Sequence, residues 1–273
     1  MDQTTSPLIF LKLGGSLITD KQTPSTALLP RIERLADEIS RIRAERPGMK
    51  LLLGHGSGSF GHVAASKYGT RQGVDTPEEW RGFVDVWRQA SALNRIMVEA
   101  LHQAGLPAVV FSAASSAIVD DGMIMEWDLS PVVQALDHGL LPVVHGDVAF
   151  DRHRGGTILS TEDIFDYFAL ALQPSRILLA GIETGVWADY PACTEIAAEI
   201  TPENQDAVLG FVRGSAATDV TGGMASKVQQ MLRLTGEIPG LEVEIFSALA
   251  PGDLQKAFAG SRTGTLIHSP KVA

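Results

Sequence analysis

The sequence predicts an α/β protein with a mostly parallel central sheet. Short apolar runs alternate with amphipathic segments along all 273 residues, and glycine turns separate them. No linker, repeat or low-complexity run splits the chain, so it reads as a single domain, 1–273. Two lobes, about 1–173 and 174–273, are expected on one continuous sheet that divides near Pro174.

Leu8 to Leu13 is the first expected strand. Pro30 opens a helix whose Ile32, Leu35, Ala36, Ile39 and Ile42 follow helical spacing until Pro47-Gly48. Met49 to Leu53 is the second strand, and Pro77 to His102 is a long helix ended by Gly105. Pro107 to Ser112 and Leu141 to His145 are buried-strand candidates, with a helix between them started by Ser130-Pro131. Asp121-Gly122 marks one hairpin. A second hairpin is expected to join Val148-Ala149-Phe150 to Thr157-Ile158-Leu159 around Gly155-Gly156. Strands at Arg176 to Ala180, Val243 to Phe246 and Thr265 to His268 follow, with helices near Glu162 to Leu172, Met224 to Leu234 and Asp253 to Ala259.

Composition narrows the function. With 32 acidic and 22 basic side chains the net charge is −10, which argues against a nucleic-acid or anionic-membrane coat. The single cysteine, Cys193, forms no internal disulfide and fits a reducing compartment. The first residues lack a basic and apolar leader, and no apolar stretch reaches the ~18 residues of a membrane span. The expectation is a soluble, cytoplasmic protein with no membrane or nucleic-acid partner.

Three glycine turns carry the chemistry. The first strand runs into Lys12-Leu13-Gly14-Gly15-Ser16, the second into Gly54-His55-Gly56-Ser57-Gly58-Ser59-Phe60-Gly61-His62, and Asp219-Val220-Thr221-Gly222-Gly223-Met224 precedes Lys227. Glycine turns at strand ends let backbone amides approach an anion, and lysines beside them add charge, so the set points to a polyphosphate. Gly56 to Gly61 also matches G-x-G-x-x-G, which leaves a nicotinamide oxidoreductase as an alternative. Against it, no strand ending in an acidic residue follows at the required distance. The P-loop and nucleophile-elbow patterns are absent, and the histidines lack zinc-ligand spacing, so no protein-held metal site is expected.

Together with Lys21, His145-Gly146-Asp147, Ser160-Thr161-Glu162-Asp163 and Gly181-Ile182-Glu183-Thr184-Gly185-Val186, these motifs resemble the amino acid kinase superfamily over nearly the whole chain. The ending Ser59-Phe60-Gly61-His62 resembles its isopentenyl phosphate kinase branch and the related fosfomycin kinases. The resemblance implies a three-layer αβα sandwich, an acceptor-binding N-terminal lobe, a nucleotide-binding C-terminal lobe and a homodimer. It implies transfer of the ATP γ-phosphoryl group to isopentenyl phosphate with Mg²⁺, giving isopentenyl diphosphate and ADP. A phosphonate acceptor is the alternative, and a non-catalytic nucleotide sensor would be expected to lack Lys21 or His62.

Carried onto this sequence, the resemblance makes Lys12, Lys21, His62 and Lys227 catalytic. ATP would be held by Lys12, Gly14, Gly15, Ser16, Gly58, Glu162, Asp163, Gly181, Gly185, Gly222 and Lys227, and the acceptor by Gly56, Ser57, His62, Gly146, Phe83 and Trp87. Such a set answers a physical need, because like charges at 4 Å repel by about 4 kcal/mol at an effective dielectric near 20. Glu162 by register, or Asp163 by a one-residue shift, would orient the lysines. Phe83, Val86, Trp87 and Ile96 of the long helix offer either an apolar slot for the substrate tail or ordinary core.

Overall fold

Apolar runs buried on both faces form the centre of the sheet, and everything else is arranged on it. The computed structural model describes residues 7–212 and 223–270, without the side chains of 62–64, 211 and 212. Strand β1 (Leu8–Leu13) is followed by one helical turn, α1 (Gly15–Ile18), then α2 (Leu29–Glu45) and β2 (Lys50–His55). Helices α3 (Gly58–Tyr68) and α4 (Pro77–Gln103) lead to β3 (Ala108–Val110) and α5 (Ala113–Ser116). Next come the hairpin β4 (Ile118–Asp120) and β5 (Met123–Glu126), then α6 (Ser130–Asp137) and β6 (Leu141–His145). A second hairpin, β7 (Asp147–Asp151) and β8 (Gly155–Leu159), precedes α7 (Thr161–Leu172) and β9 (Arg176–Gly181). The chain continues through β10 (Glu199–Ile200), α8 (Gln205–Val212), α9 (Gly223–Glu237), β11 (Glu242–Ser247), α10 (Asp253–Phe258) and β12 (Thr265–Ile267).

The main sheet has the order β10-β12-β11-β9-β1-β2-β6-β3, and β1 pairs in parallel with both β2 and β9. The chain lays β2, β3 and β6 on one side of β1, then crosses over to lay β9 to β12 on the other. Ligands of open parallel sheets sit at such a reversal, outside the carboxyl ends of the strands. In this fold that place is the end of β1, between His55 of β2 and Ala180 of β9, both of which pair with Leu13.

Alternation along the strands sorts the core into two layers. Phe10, Leu52, Val144, Ile177 and Val243 face one cluster with residues of α6, α7 and α9. Ile9, Leu11, Leu51, Val143 and Leu178 face the other, with residues of α2, α4 and α10. The three-layer αβα arrangement follows from that alternation. Helix α4 begins with a full capping box between Thr76 and Glu79, and α7 with another between Ser160 and Asp163.

Two features depart from the sequence expectation. The two hairpins form a separate four-stranded sheet, β5-β4-β7-β8, instead of extending the main one. The Asp151 carboxylate binds them together by accepting backbone N–H groups of Asp121, Gly122, His153 and Arg154. Gly155 and Gly156 belong to β8, and the reversal is made by residues 152–154. Those glycines answer to close packing: a Cβ at Gly155 would lie 2.2 Å from the Val74 carbonyl oxygen, and one at Gly156 2.9 Å from the Phe83 ring.

Gly54 of β2 plays a similar part beneath α7. A Cβ there would lie 2.5 Å from Thr161 Cγ2 and 2.7 Å from the Phe165 ring. Gly54→Ala is therefore expected to destabilise the fold by roughly 1–3 kcal/mol and to lift the start of α7 off the sheet. Thermal denaturation checks this; an unchanged melting temperature would show that α7 does not bear on β2 there.

Candidate active site

Period-2 alternation puts Lys12 on the same face of β1 as Phe10, the face covered by α7 and α9. Burying a lysine there is tolerable only with a counter-charge. Glu162, in the first turn of α7, supplies it through an ion pair of its Oε2 with Lys12 Nζ. Its other oxygen, Oε1, lies 3.4 Å from Lys227 Nζ on α9. Burial opposes the Glu162 charge, but Lys12 and Lys227 outweigh it and hold the carboxyl at about 2. The choice between neighbouring carboxylates is thus settled by geometry. Glu162 bridges the lysines, while Asp163 accepts the Ser160 N–H at 2.8 Å as the helix cap and pairs with Arg71 Nη2 at 3.3 Å.

The first two glycine turns are packed backbone to backbone. A Cβ at Gly15 would lie 2.4 Å from the Gly58 nitrogen, and one at Gly56 2.8 Å from the Gly15 nitrogen. Gly58 has φ +49°, and a Cβ there would meet Thr19 Oγ1 at 2.1 Å, so both space and conformation demand glycine. Thr19 locks the pair, donating its hydroxyl to the Gly15 carbonyl and accepting the Ser59 N–H. Gly15, Ser16 and Gly58 open helices α1 and α3, where N–H groups have no carbonyl of their own helix to bind.

Some of the amides expected to hold phosphate are already engaged. Gly14 donates to the Ala180 carbonyl at 2.8 Å, Gly56 to Leu13 at 3.0 Å and Gly146 to His55 at 3.2 Å. These three glycines fasten the ends of β1, β2, β6 and β9 to each other in a knot of backbone. The G-x-G-x-x-G glycines are thereby accounted for without a dinucleotide: Gly56 and Gly58 pack on Gly15, and Gly61 on Ser57.

Beside the knot lies a cavity of about 230 Å³. Its polar wall includes Ser57, Arg71, Gly146 and Asp147, and its apolar wall Ala65, Val86, Ala90 and Ile158. Phe83 and Trp87, expected to line an apolar slot, do not border this cavity. Phe83 packs in a small core with Val74, Val86 and Val148, its ring 5.2 Å from those of the partly buried Trp80 and the exposed Phe150. Trp87 is half exposed, one helical step off the buried face of α4. Ile96 packs into the core opposite. Periodicity identified the right helix, but the cavity-facing positions are one residue before Trp87 and three after it.

Lys21 is exposed, in a segment held to α3 by a Ser25 N–H to Ser59 carbonyl bond of 3.3 Å. Gly181 ends β9, and a Cβ at Gly185 would lie 2.6 Å from Thr265 Oγ1, so close packing on β12 explains the latter glycine. The His62 side chain and Gly222 lie outside the described residues. The sequence reading missed Arg71 as a cavity-lining cation; its one signal was a basic residue between the glycines of Gly69-Thr70-Arg71-Gln72-Gly73.

Behind the cavity, His55 and His145 stack with ring centroids 5.4 Å apart and planes 13° from parallel. Asn94 of α4 lies 3.0 Å from His55 Nε2. Burial drives both histidines down to about 4, the neighbouring imidazole adding to the effect at His55. Asp147 accepts a hydrogen bond from the Ser112 hydroxyl at 2.9 Å, and burial pushes its carboxyl up to about 6. Among the described residues no group of three or more His, Cys, Asp or Glu is placed to hold a metal ion. No helix among them is long and apolar enough to cross a membrane.

Two lysines on a shared carboxylate thus meet beside interlocked glycine turns at the switch point of the sheet. The chain belongs to the amino acid kinase family, whose sequence model matches residues 7–247. It is 32% identical to the isopentenyl phosphate kinase of Methanothermobacter thermautotrophicus, over 95% of this chain and 98% of that protein. With the isopentenyl phosphate kinase of Haloferax volcanii it shares 33% identity, over 96% of this chain and 98% of the relative. A solved isopentenyl phosphate kinase structure, 30% identical, superposes with a TM-score of 0.79 and covers 95% of this chain and 99% of its own.

The buried titratable groups set an acid limit. Because His55 and His145 bind protons less readily when folded, acid below pH 6.5 favours the unfolded chain down to about pH 4. The cost is up to about 1.4 kcal/mol per pH unit for each histidine. Asp147 acts oppositely between about pH 6 and 3.8 and offsets one of the two. Stability is expected to fall from pH 7 to 4.5, and His145→Gln to flatten the slope; a slope unaltered in the variant would mean that His145 does not bury neutral.

Proposed function

We propose that this protein transfers the γ-phosphoryl group of ATP to isopentenyl phosphate, giving isopentenyl diphosphate and ADP. The observation that carries the reading is the cavity, whose polar wall abuts the glycine knot and whose other wall is hydrocarbon. At about 230 Å³ it suits a small acceptor, since sites for drug-sized ligands run from roughly 300 Å³ upward. Ala65, Val86, Ala90 and Ile158 would take a branched alkenyl tail and give a compact polar phosphonate no hydrogen bonds. The relatives named isopentenyl phosphate kinase support the same acceptor.

Lys12 and Lys227, held by Glu162, would bind the β- and γ-phosphates of ATP, with the amides of Gly15, Ser16 and Gly58 on the remaining oxygens. Gly181, Gly185 and Gly222 would bind the nucleotide from the C-terminal lobe. An oxygen of the acceptor phosphate, seated near Ser57 and Gly146, attacks the γ-phosphorus as the bond to the β,γ-bridging oxygen breaks and ADP departs. Two anions must meet for this, so the catalytic task is positioning and charge compensation. Lys21 and His62 would supply further positive charge and hydrogen bonds on the transferring and acceptor groups. The described residues offer no cluster to cage a metal, so Mg²⁺ would arrive on the ATP phosphates and neutralise them. A homodimer in the cytoplasm is the setting that goes with this reading.

Incubation of the protein with Mg-ATP and isopentenyl phosphate, read by mass spectrometry, is expected to give isopentenyl diphosphate and ADP in equal amounts, with fosfomycin a poor acceptor. ATP bound without either product would refute the acceptor. Glu162→Gln is expected to lower kcat on the order of 10²-fold by releasing the lysines from their shared anchor. A kcat within twofold of the parent would show that the lysines hold their places without it.

A further inference from the structure

Arg71 is a cation on the polar wall of the acceptor cavity, in the turn between α3 and α4. One edge of its guanidinium is fixed, with Nη2 3.3 Å from Asp163 Oδ2. Asp163 is itself held by its helix cap, and Gln230 of α9 donates to the Glu162 carbonyl at 3.2 Å. The other edge is different. Arg71 Nη1 is shielded from solvent and has no hydrogen-bond partner among the described residues. An N–H deprived of water and of protein acceptors is uncommon in folded proteins and calls for an explanation, and Arg71 lines the cavity. A planar cation held along one edge is preorganised for an anion on the other.

We propose that Arg71 binds the acceptor's phosphate through its Nη1 edge, while Asp163 holds the guanidinium in place through Nη2. This rests on the acceptor reading given above. The pairing also has a structural consequence. Asp163 follows Glu162 in the same helical turn, so the residue that contacts the acceptor and the residue that anchors the donor lysines share one rigid support. Acceptor and donor phosphates would be registered against the N-terminus of α7, without a separate moving part.

The test separates recognition from scaffolding. Arg71→Ala, Arg71→Gln and Arg71→Lys are compared with the parent for KM toward isopentenyl phosphate, KM toward ATP, and melting temperature. Loss of one charge-assisted contact is expected to raise the acceptor KM about 10- to 100-fold in the Ala and Gln variants. The KM for ATP should stay within about twofold, with partial recovery in the Lys variant. Equal changes in both constants, or no change in the acceptor constant, would overturn the proposal. Because Gln keeps a hydrogen bond for Asp163, it covers the case in which the Ala variant fails to fold. If the parent makes no isopentenyl diphosphate, the acceptor reading fails on its own. Calorimetric titration with inorganic phosphate then decides the role of Arg71: weaker binding to Arg71→Gln than to the parent upholds an anion contact, and equal binding removes it.

Discussion

The site depends on a buried carboxylate shared by two lysines. Glu162 sits in the first turn of α7, Lys12 comes from the central strand and Lys227 from a helix packed over the other half of the sheet. Lys12 and Glu162 would each be costly alone at their depth, and with the partly exposed Lys227 they fix one another. The geometry gives both ammonium groups a defined place before any phosphate arrives. That is the preorganisation that phosphoryl transfer between two anions requires.

The sheet's connectivity explains why these groups meet. The chain leaves β1 in one direction and later returns to its other edge, so the carboxyl ends of β2, β1 and β9 lie side by side. At that place backbone must contact backbone, and only glycine permits it. Gly15 packs on the Gly58 backbone, Gly58 on Thr19, and Gly54 beneath the Thr161 and Phe165 side chains. Gly14, Gly56 and Gly146 spend their amides on holding the strand ends together, which keeps the neighbouring first-turn amides of α1 and α3 in position. Structural fastening thus falls to Gly14, Gly56 and Gly146, a role invisible in the motif itself.

Much of the fold was legible because the strands are apolar on both faces and the longer helices carry caps and regular spacing. The two-residue β10, the single turns α1 and α5, and α8 were not anticipated, since segments this short or flanked this way leave little periodic signal. Gly155-Gly156 was misread as a turn because close packing by Val74 and Phe83 demands glycine within a strand as strongly as a reversal does. At the site, Lys12, Gly15, Gly58 and Lys227 announced themselves through glycine turns, whereas Glu162 needed the geometry to separate it from Asp163. Phe83 and Trp87 were expected to line the pocket, but the cavity is bounded by the smaller Val86 and Ala90 of the same helix, and Phe83 shares a buried cluster with Val86. Arg71 carried no motif, because its importance comes from the distant Asp163.

The most direct test is a crystal structure of the protein with a non-hydrolysable ATP analogue and isopentenyl phosphate bound together. The account places the β- and γ-phosphates between Lys12 and Lys227, and the acceptor phosphate in the cavity beside Ser57 and Gly146 with an oxygen in line with the γ-phosphorus. Nucleotide phosphates bound away from the two lysines, or an acceptor lying outside that cavity, would contradict it.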